Sequence, residues 1–220
     1  MDSVTSISSR QLERYPIYLK LLYQMRTDGF KTITSSILAK ELGYSEESVR
    51  KDLQAISSSS GKPGKGREII SLINDFEHFL GYKEVTNAIL VGVGNLGEAF
   101  LKYSGFSNFG LNILMAFDID EKKVNTTIND KMIYDMDELE EKIKDLHVEI
   151  AVLTVTRNAA QEVTDRLMKC GIKAIWNFVP VHLNVNDDVI VENVDLAASL
   201  AFLSYKMKEN FSEVKKRERE

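Results

Sequence analysis

The chain has few of the residues that staple a fold, ligate a metal or cross a membrane. Among 220 residues there is one cysteine, Cys170, so no internal disulfide can form, and a reducing, cytoplasmic setting is expected. The histidines are three, His78, His147 and His182, far apart in the chain. No Cys/His group has metal-ligand spacing, so a metal partner is not expected. No apolar run approaches the roughly 20 residues of a membrane-crossing helix; the best, near Ala88 to Val93, is strand-length. The opening MDSVTSISSR lacks the basic start and apolar run of a secretory signal. No membrane partner is expected.

What is present suits a water-soluble globular chain, with 44% apolar and 28% charged residues. The formal net charge of −5 hides an asymmetry. Residues 1–80 carry 11 Lys/Arg against 10 Asp/Glu, a net of +1, and residues 81–220 carry 17 against 23, a net of −6. Within the first part, Gly61 to Arg67 holds Lys62, Lys65 and Arg67 with no acid. A small basic patch in an otherwise balanced segment points towards phosphate contact.

The first part reads as helices. Residues 10–28 place Ile17, Leu21, Leu22 and Met25 at helical spacing, with Gly29 as the stop and Pro16 near the start of the run. Thr34, Ser35 and Ser36 are N-cap candidates for a second helix that ends at Gly43. A third helix follows Ser45, with Ser48 three residues on and Val49, Leu53 and Ile56 on one face. Two short helices across a tight glycine turn, after a longer one, describe a helix-turn-helix. The segment from Ser57 to Gly66 is a loop by composition, either a plain linker or the wing of a winged helix. Its place directly after the candidate recognition helix favours the wing. A further helix from Glu68 to Phe79 closes a domain expected to span residues 1–80.

From Ala88 the pattern becomes strand–helix alternation: AILVGV, a helix through Glu98 to Tyr103, ILMAFDID, DELEEKIKDL, EIAVLTV, AAQEVTDRLMKCG and KAIWNFV. Such alternation predicts parallel βαβ units in a doubly wound α/β sheet over residues 81–194. A last helix, 195–211, carries Leu196, Leu200, Leu203 and Met207 on one apolar face and needs a packing partner. Residues 212–220 lack an apolar pattern and are expected to be a disordered tail.

Gly92-Val93-Gly94-Asn95-Leu96-Gly97 follows a buried strand and opens a helix. In that setting the first glycine makes the turn, the second admits a pyrophosphate and the third lets helix and strand approach. The helix start adds free N–H groups and a favourable dipole. The second strand ends in Asp118 and Asp120, where a carboxylate accepts ribose hydroxyls and repels a 2′-phosphate. The predicted cofactor is NAD(H), with another nucleotide such as coenzyme A, or none, as the alternative. Thr154, Val155, Asn177, Phe178 and Pro180 sit at later strand ends, where the same fold places its pocket. There Phe178 is a candidate apolar wall for a nicotinamide, and Thr154 a candidate phosphate or ribose contact. His182 is the one titratable histidine expected nearby, and it has no orienting acid close in sequence. An NAD-dependent oxidoreductase would need such a constellation, so catalysis is not expected.

The chain resembles the Rex family of redox-sensing transcriptional repressors from about Arg14 to Lys208. The resemblance rests on Val49-Arg50-Lys51-Asp52-Leu53, Gly61 through Gly64 to Gly66, Gly92 to Gly97 and Phe117-Asp118-Ile119-Asp120. It continues in Leu153-Thr154-Val155, Gly171-Ile172-Lys173, Asn177-Phe178-Val179-Pro180-Val181 and Val191-Glu192-Asn193-Val194-Asp195. It implies a homodimer with the terminal helix swapped between subunits, and winged helices on a palindromic operator in double-stranded DNA. It also implies that NADH releases the DNA while NAD⁺ permits binding. By position, Tyr103 and Phe178 would line the nicotinamide end, and Lys20 and Asp195 would form an interdomain contact that answers to redox state. Ser48, Arg50, Lys51, Lys62, Lys65 and Arg67 are the expected DNA contacts. The wing segment is longer than the family's by about one residue. Arg67 replaces an aromatic, Ser48 a glutamine and Thr156 a proline. A regulator that has lost redox sensing, or senses another nucleotide, is the remaining alternative.

Overall fold

The computed structural model describes residues 7–56 and 66–217, with the side chains of the last helix described through residue 210. Two compact units divide at Glu84/Val85 rather than at 80/81.

The first unit contains α1 (Ser9–Thr27), β1 (Thr32–Ile33), α2 (Ser35–Leu42), α3 (Glu46–Ile56), β2 (Arg67–Glu68) and α4 (Ile69–Phe79). Helix α1 starts early enough that Pro16 lies inside it, not near its start. Proline has no N–H for the Leu12 carbonyl one turn back, and Leu12 is exposed, so water can take that acceptor. Thr34 caps α2, its Oγ1 accepting from Ile37 N at 3.2 Å, and Ser45 caps α3 by accepting from Ser48 N at 3.2 Å. Gly43 turns the chain between them at φ +69°. Strands β1 and β2 pair antiparallel, Thr32 opposite Glu68, and so close the base of the segment that follows α3. A Cβ on Gly66 would meet the Ile33 carbonyl oxygen at 2.5 Å, so the ribbon demands glycine there. Helices, a two-stranded ribbon and one core (Tyr15, Tyr18, Leu19, Leu38, Val49, Leu53, Ile69, Phe76) make a winged helix-turn-helix.

The second unit holds β3 (Thr86–Val91), α5 (Asn95–Lys102), β4 (Leu111–Asp118), β5 (Thr127–Ile128), β6 (Lys131–Asp135), α6 (Leu139–Ile143), β7 (Ile150–Leu153), α7 (Ala160–Lys169), β8 (Ala174–Asn177), β9 (Ile190–Asn193) and α8 (Leu196–Arg217). Seven strands line up as β5-β6-β4-β3-β7-β8-β9, parallel except for the β5–β6 hairpin. Without β5 this is the doubly wound Rossmann order, and strand order reverses between β3 and β7. The expected strand 88–93 begins two residues earlier and ends at Val91, since Gly92 and Val93 already form the turn. Residues 88–91 are buried on both faces, as a central parallel strand requires.

Two elements were not expected. The β5–β6 hairpin turns at Asn129 and Asp130, both at positive φ (50° and 61°), and β9 adds an edge strand. The acidic helix 137–146 is cut to α6, preceded by a 3₁₀ turn over Met136–Glu138. Helix α8 runs to Arg217, into the segment 212–220 expected as a disordered tail, of which residues 218–220 lie outside the described residues. Ser-Glu-Val-Lys-Lys-Arg has no glycine or proline, and its long charged residues favour a helix without needing an apolar face.

One face of the sheet is thickly covered by α6 and α7 through Leu139, Ile143, Val163 and Leu167. The other face carries α5 near its centre and thins out beyond Trp176, where Ile190 is 73% exposed.

Candidate functional site

The glycine loop sits where the sheet order reverses. Gly92 has φ +94°, and a Cβ there would lie 2.8 Å from the Thr154 carbonyl oxygen. A Cβ on Gly97 would meet Gly92 O at 2.1 Å. These two glycines are thus required by the protein's own packing. Gly94 is different: no described atom lies within 4 Å of where its Cβ would stand. Its lack of a side chain opens space in front of the α5 N-terminus, as a pyrophosphate would need.

Thr154 Oγ1 donates to Gly92 O at 2.6 Å and so ties β7 to the loop. Asp118, at the end of β4, accepts from Val93 N at 2.5 Å through Oδ2 and from Asp120 N at 2.9 Å through Oδ1. The carboxylate oxygens, each accepting one of these bonds, keep further lone pairs to accept with. Gly92, Gly94, Asp118, Thr154, Val155 and Thr156 share a recess of about 240 Å³ with Lys123 and Met136. A second recess of about 430 Å³ lies beyond Leu96 and is walled by Phe100, Tyr103, Phe106, Trp176 and Phe178. The glycine loop and the first turn of α5 lie between the two.

Other expected residues fall outside these cavities. Val93 is buried and contributes its N–H, not its side chain. Asn95 is exposed at the first turn of α5. Asp120 faces Lys123 at 3.7 Å. Asn177 is buried, and its side chain is committed to its neighbours: it donates to Val181 O and Asn193 Oδ1 and accepts from Val179 N. It holds the strand-end loop that bears Phe178. Pro180 is exposed, and its carbonyl accepts from Arg157 Nη2 at 2.7 Å. Lys123, Arg157 and Trp176 also border the site or its strand-end loop, and no spaced motif in the sequence marks them.

On the other unit, Arg50 and Lys51 project from the exposed face of α3, and Lys51 pairs with Glu47 at 2.8 Å. Ser48 is half-buried, its hydroxyl 2.8 Å from that of Ser45. Gln54, one turn beyond Arg50, is exposed and was not anticipated. Arg67 lies in β2, whereas Lys62 and Lys65 fall outside the described residues. Lys20 is exposed on α1; Asp195 is exposed and caps α8, accepting from Ala198 N at 2.9 Å. Among the described residues no group of His, Cys, Asp and Glu is placed to hold a metal, and no helix is long and apolar enough to cross a membrane.

A winged helix-turn-helix joined to a Rossmann unit, whose glycine loop is open at the phosphate position, defines a DNA-binding regulator of nucleotide-responsive design. Residues 6–54 match the family described as putative DNA-binding protein N-terminus, and residues 83–181 the CoA binding domain. The chain belongs to the Rex family of redox-sensing transcriptional repressors. It is 38% identical to Rex of Bacteroides thetaiotaomicron, covering 96% of this chain and 94% of that one. It is 41% identical to Rex of Treponema denticola over 89% of this chain and 93% of the relative. Among solved structures it is similar to RSP, a Rex-family repressor, in complex with β-NAD⁺ and operator DNA (TM-score 0.86, 35% identity, 96% of this chain and 98% of that one). RSP in complex with β-NADH is similar at TM-score 0.85 and 34% identity, over 96% and 99% of the two chains.

Proposed function

We propose that this chain is a cytoplasmic, non-catalytic repressor that reads the NADH/NAD⁺ ratio and releases operator DNA when NADH binds. The observation that carries the cofactor assignment is Gly94, open to solvent between two glycines that the fold itself demands, with Asp118 beside it. Gly92 to Gly97 and the α5 N-terminus hold a pyrophosphate. Asp118 takes the adenosine ribose, and Tyr103 and Phe178 border the nicotinamide end. Bound there, the cofactor supplies a difference of one charge between its oxidised and reduced rings. The CoA-binding family description fits the same adenosine and pyrophosphate half. The aromatic recess beyond Leu96 favours a dinucleotide, since a planar ring stacks on such walls.

Helix α3 enters the major groove with Arg50, Lys51 and Ser48, while Arg67, Lys62 and Lys65 hold flanking phosphates. Lys51 gives up Glu47 on binding. A second copy completes the protein. Leu196, Leu200, Phe202, Leu203 and Met207 of α8 are all more than half exposed, and a largely apolar recess of about 550 Å³ opens along Tyr103, Phe106, Leu111, Trp176 and Ile190. Helix α8 of one subunit on the neighbouring subunit buries both and sets two recognition helices against a palindrome. Lys20 and Asp195 are the side chains through which the DNA-binding unit answers to the redox state. By linkage, NADH weakens DNA binding by the factor by which DNA weakens NADH binding.

The decisive experiment titrates the protein with NADH and then NAD⁺, alone and with a duplex the protein has selected from a random pool. Tighter NADH binding, mutual antagonism with the duplex and no turnover support the reading. Equal binding of both redox forms, or turnover of NADH with a small carbonyl, overturns it. Arg50→Ala should weaken the selected duplex by about 1–3 kcal/mol if Arg50 reads a base.

A further inference from the structure

The buried face of α3 contains an acid. Asp52 is 1% exposed, between Val49 and Leu53, which are the face's apolar contacts. Its Oδ2 accepts from Arg14 Nε at 2.7 Å and from the Tyr18 hydroxyl at 2.7 Å, and its Oδ1 accepts from Arg14 Nη2 at 2.8 Å. Both partners lie on α1. The Arg14 guanidinium also stands 5.9 Å from the centre of the Tyr44 ring, and Tyr44 packs edge-on against Tyr18 at 6.0 Å. Tyr44 follows Gly43 in the turn between α2 and α3. One guanidinium on α1 therefore holds both the turn and the recognition helix.

Apolar packing limits the roll of the helix less sharply than directional bonds do, because burial itself has no preferred direction. A bidentate fork on a carboxylate fixes an angle as well as a distance. A buried ion pair is a poor source of stability compared with apolar residues of equal size, so its angular constraint is the more informative property. Side chains extend about 5–6 Å from a helix axis. A roll of about 20° then moves a tip by about 2 Å, enough to break a hydrogen bond to a base edge. Arg50 and Gln54 stand on the face opposite Asp52 and Lys51 on its flank, all exposed, and all would be displaced together.

We propose that Asp52, clamped by Arg14 and Tyr18, sets the roll of the recognition helix, which makes Arg14 and Tyr18 positioning residues for sequence readout. This rests on the DNA-binding reading above.

The test uses the full chain with Arg14→Lys, which keeps the charge and loses the fork, and Tyr18→Phe, which removes one bond. A duplex selected from a random pool by the wild-type chain and a scrambled duplex of equal length are titrated at one salt concentration. NADH affinity and the folded fraction are measured alongside. Arg14→Lys should lower the ratio of selected to scrambled affinity by about tenfold, and Tyr18→Phe by less, with scrambled-duplex and NADH affinity retained. A partly unfolded variant loses both affinities in proportion, so the ratio isolates positioning from stability. A ratio within about twofold of wild type for Arg14→Lys overturns the proposal. If the wild-type chain selects no duplex, the DNA-binding reading falls, and the proposal falls with it.

Discussion

The Val93 backbone N–H and the Asp118 carboxylate, 25 residues apart in sequence, meet at 2.5 Å and join the glycine loop to the end of β4. The carboxylate holds the loop, and on the proposed reading it also takes the adenosine ribose. Asp118→Asn keeps the shape but removes the charge. NADH affinity should fall about 10- to 100-fold, the loss of one charge-assisted bond, and the gap between NADH and NADPH should narrow. Calorimetric titration with both cofactors checks this; undiminished NADH binding would place the ribose elsewhere.

The three glycines of the loop should respond differently to alanine. Gly97→Ala drives a Cβ to 2.1 Å from Gly92 O, so the Rossmann unit should lose at least about 1–3 kcal/mol. Gly94→Ala meets no described atom, so the melting temperature should hold while NADH affinity drops by about tenfold or more. A Gly94→Ala variant that melts early but binds normally would reverse the assignment.

Trp176 is the only tryptophan of the chain and lines both apolar recesses. Its emission overlaps the absorption of reduced, but not oxidised, nicotinamide. Excitation of Trp176 should therefore give sensitised cofactor emission with NADH and none with NAD⁺. Absence of transfer at saturating NADH would argue against nicotinamide beside Phe178.

The two units should part company in alkali. Burial raises the phenols of Tyr15, Tyr18, Tyr23 and Tyr82 in the first unit, and carboxylates at Asp52 and Glu77 add to the rise at Tyr18 and Tyr23. A phenol raised on folding favours the folded state at all pH values below its unfolded pKa. That contribution is lost as pH climbs beyond it, above about pH 10. Burial raises the Cys170 thiol of the Rossmann unit as well, so both units weaken in alkali. Urea unfolding followed by helical signal should still show the steeper loss in the first unit, with its four raised phenols, between about pH 9.5 and 11. Parallel loss in both units would contradict the assignment.

The Tyr15 hydroxyl is buried without a hydrogen-bond partner among the described residues, while its ring packs edge-on against Phe76 and Phe79 at 5.5 and 5.4 Å. Tyr15→Phe keeps the ring contacts and removes the orphaned group. Stability of the first unit should stay level or rise by up to about 1 kcal/mol. A loss of more than that in chemical denaturation would reveal a partner for the hydroxyl.

Much of this architecture is legible in the sequence because local chemistry and global fold agree. Thr34 and Ser45 announce their helices, and the buried run at Ala88 to Val91 followed by glycines announces the nucleotide turn. Three features were not legible. The β5–β6 hairpin depends on Asn129 and Asp130 taking left-handed backbone, a choice that two polar residues permit but do not force. The shares of the pocket held by Lys123 and Trp176 follow from chain paths across the sheet, not from spacing. Asp52 looks like an ordinary solvent-facing acid beside Arg50 and Lys51; only the approach of α1 turns it inward.

The exposed apolar stripe of α8 gives the protein's own abundance a thermodynamic role. A subunit that covers this stripe only on a second copy loses cover on dilution, and each tenfold fall in concentration weakens the assembled state by about 1.4 kcal/mol per dimer. Melting temperature should then climb with protein concentration. The number of copies in a cell becomes a setting of the sensor, alongside the cofactor ratio it reads.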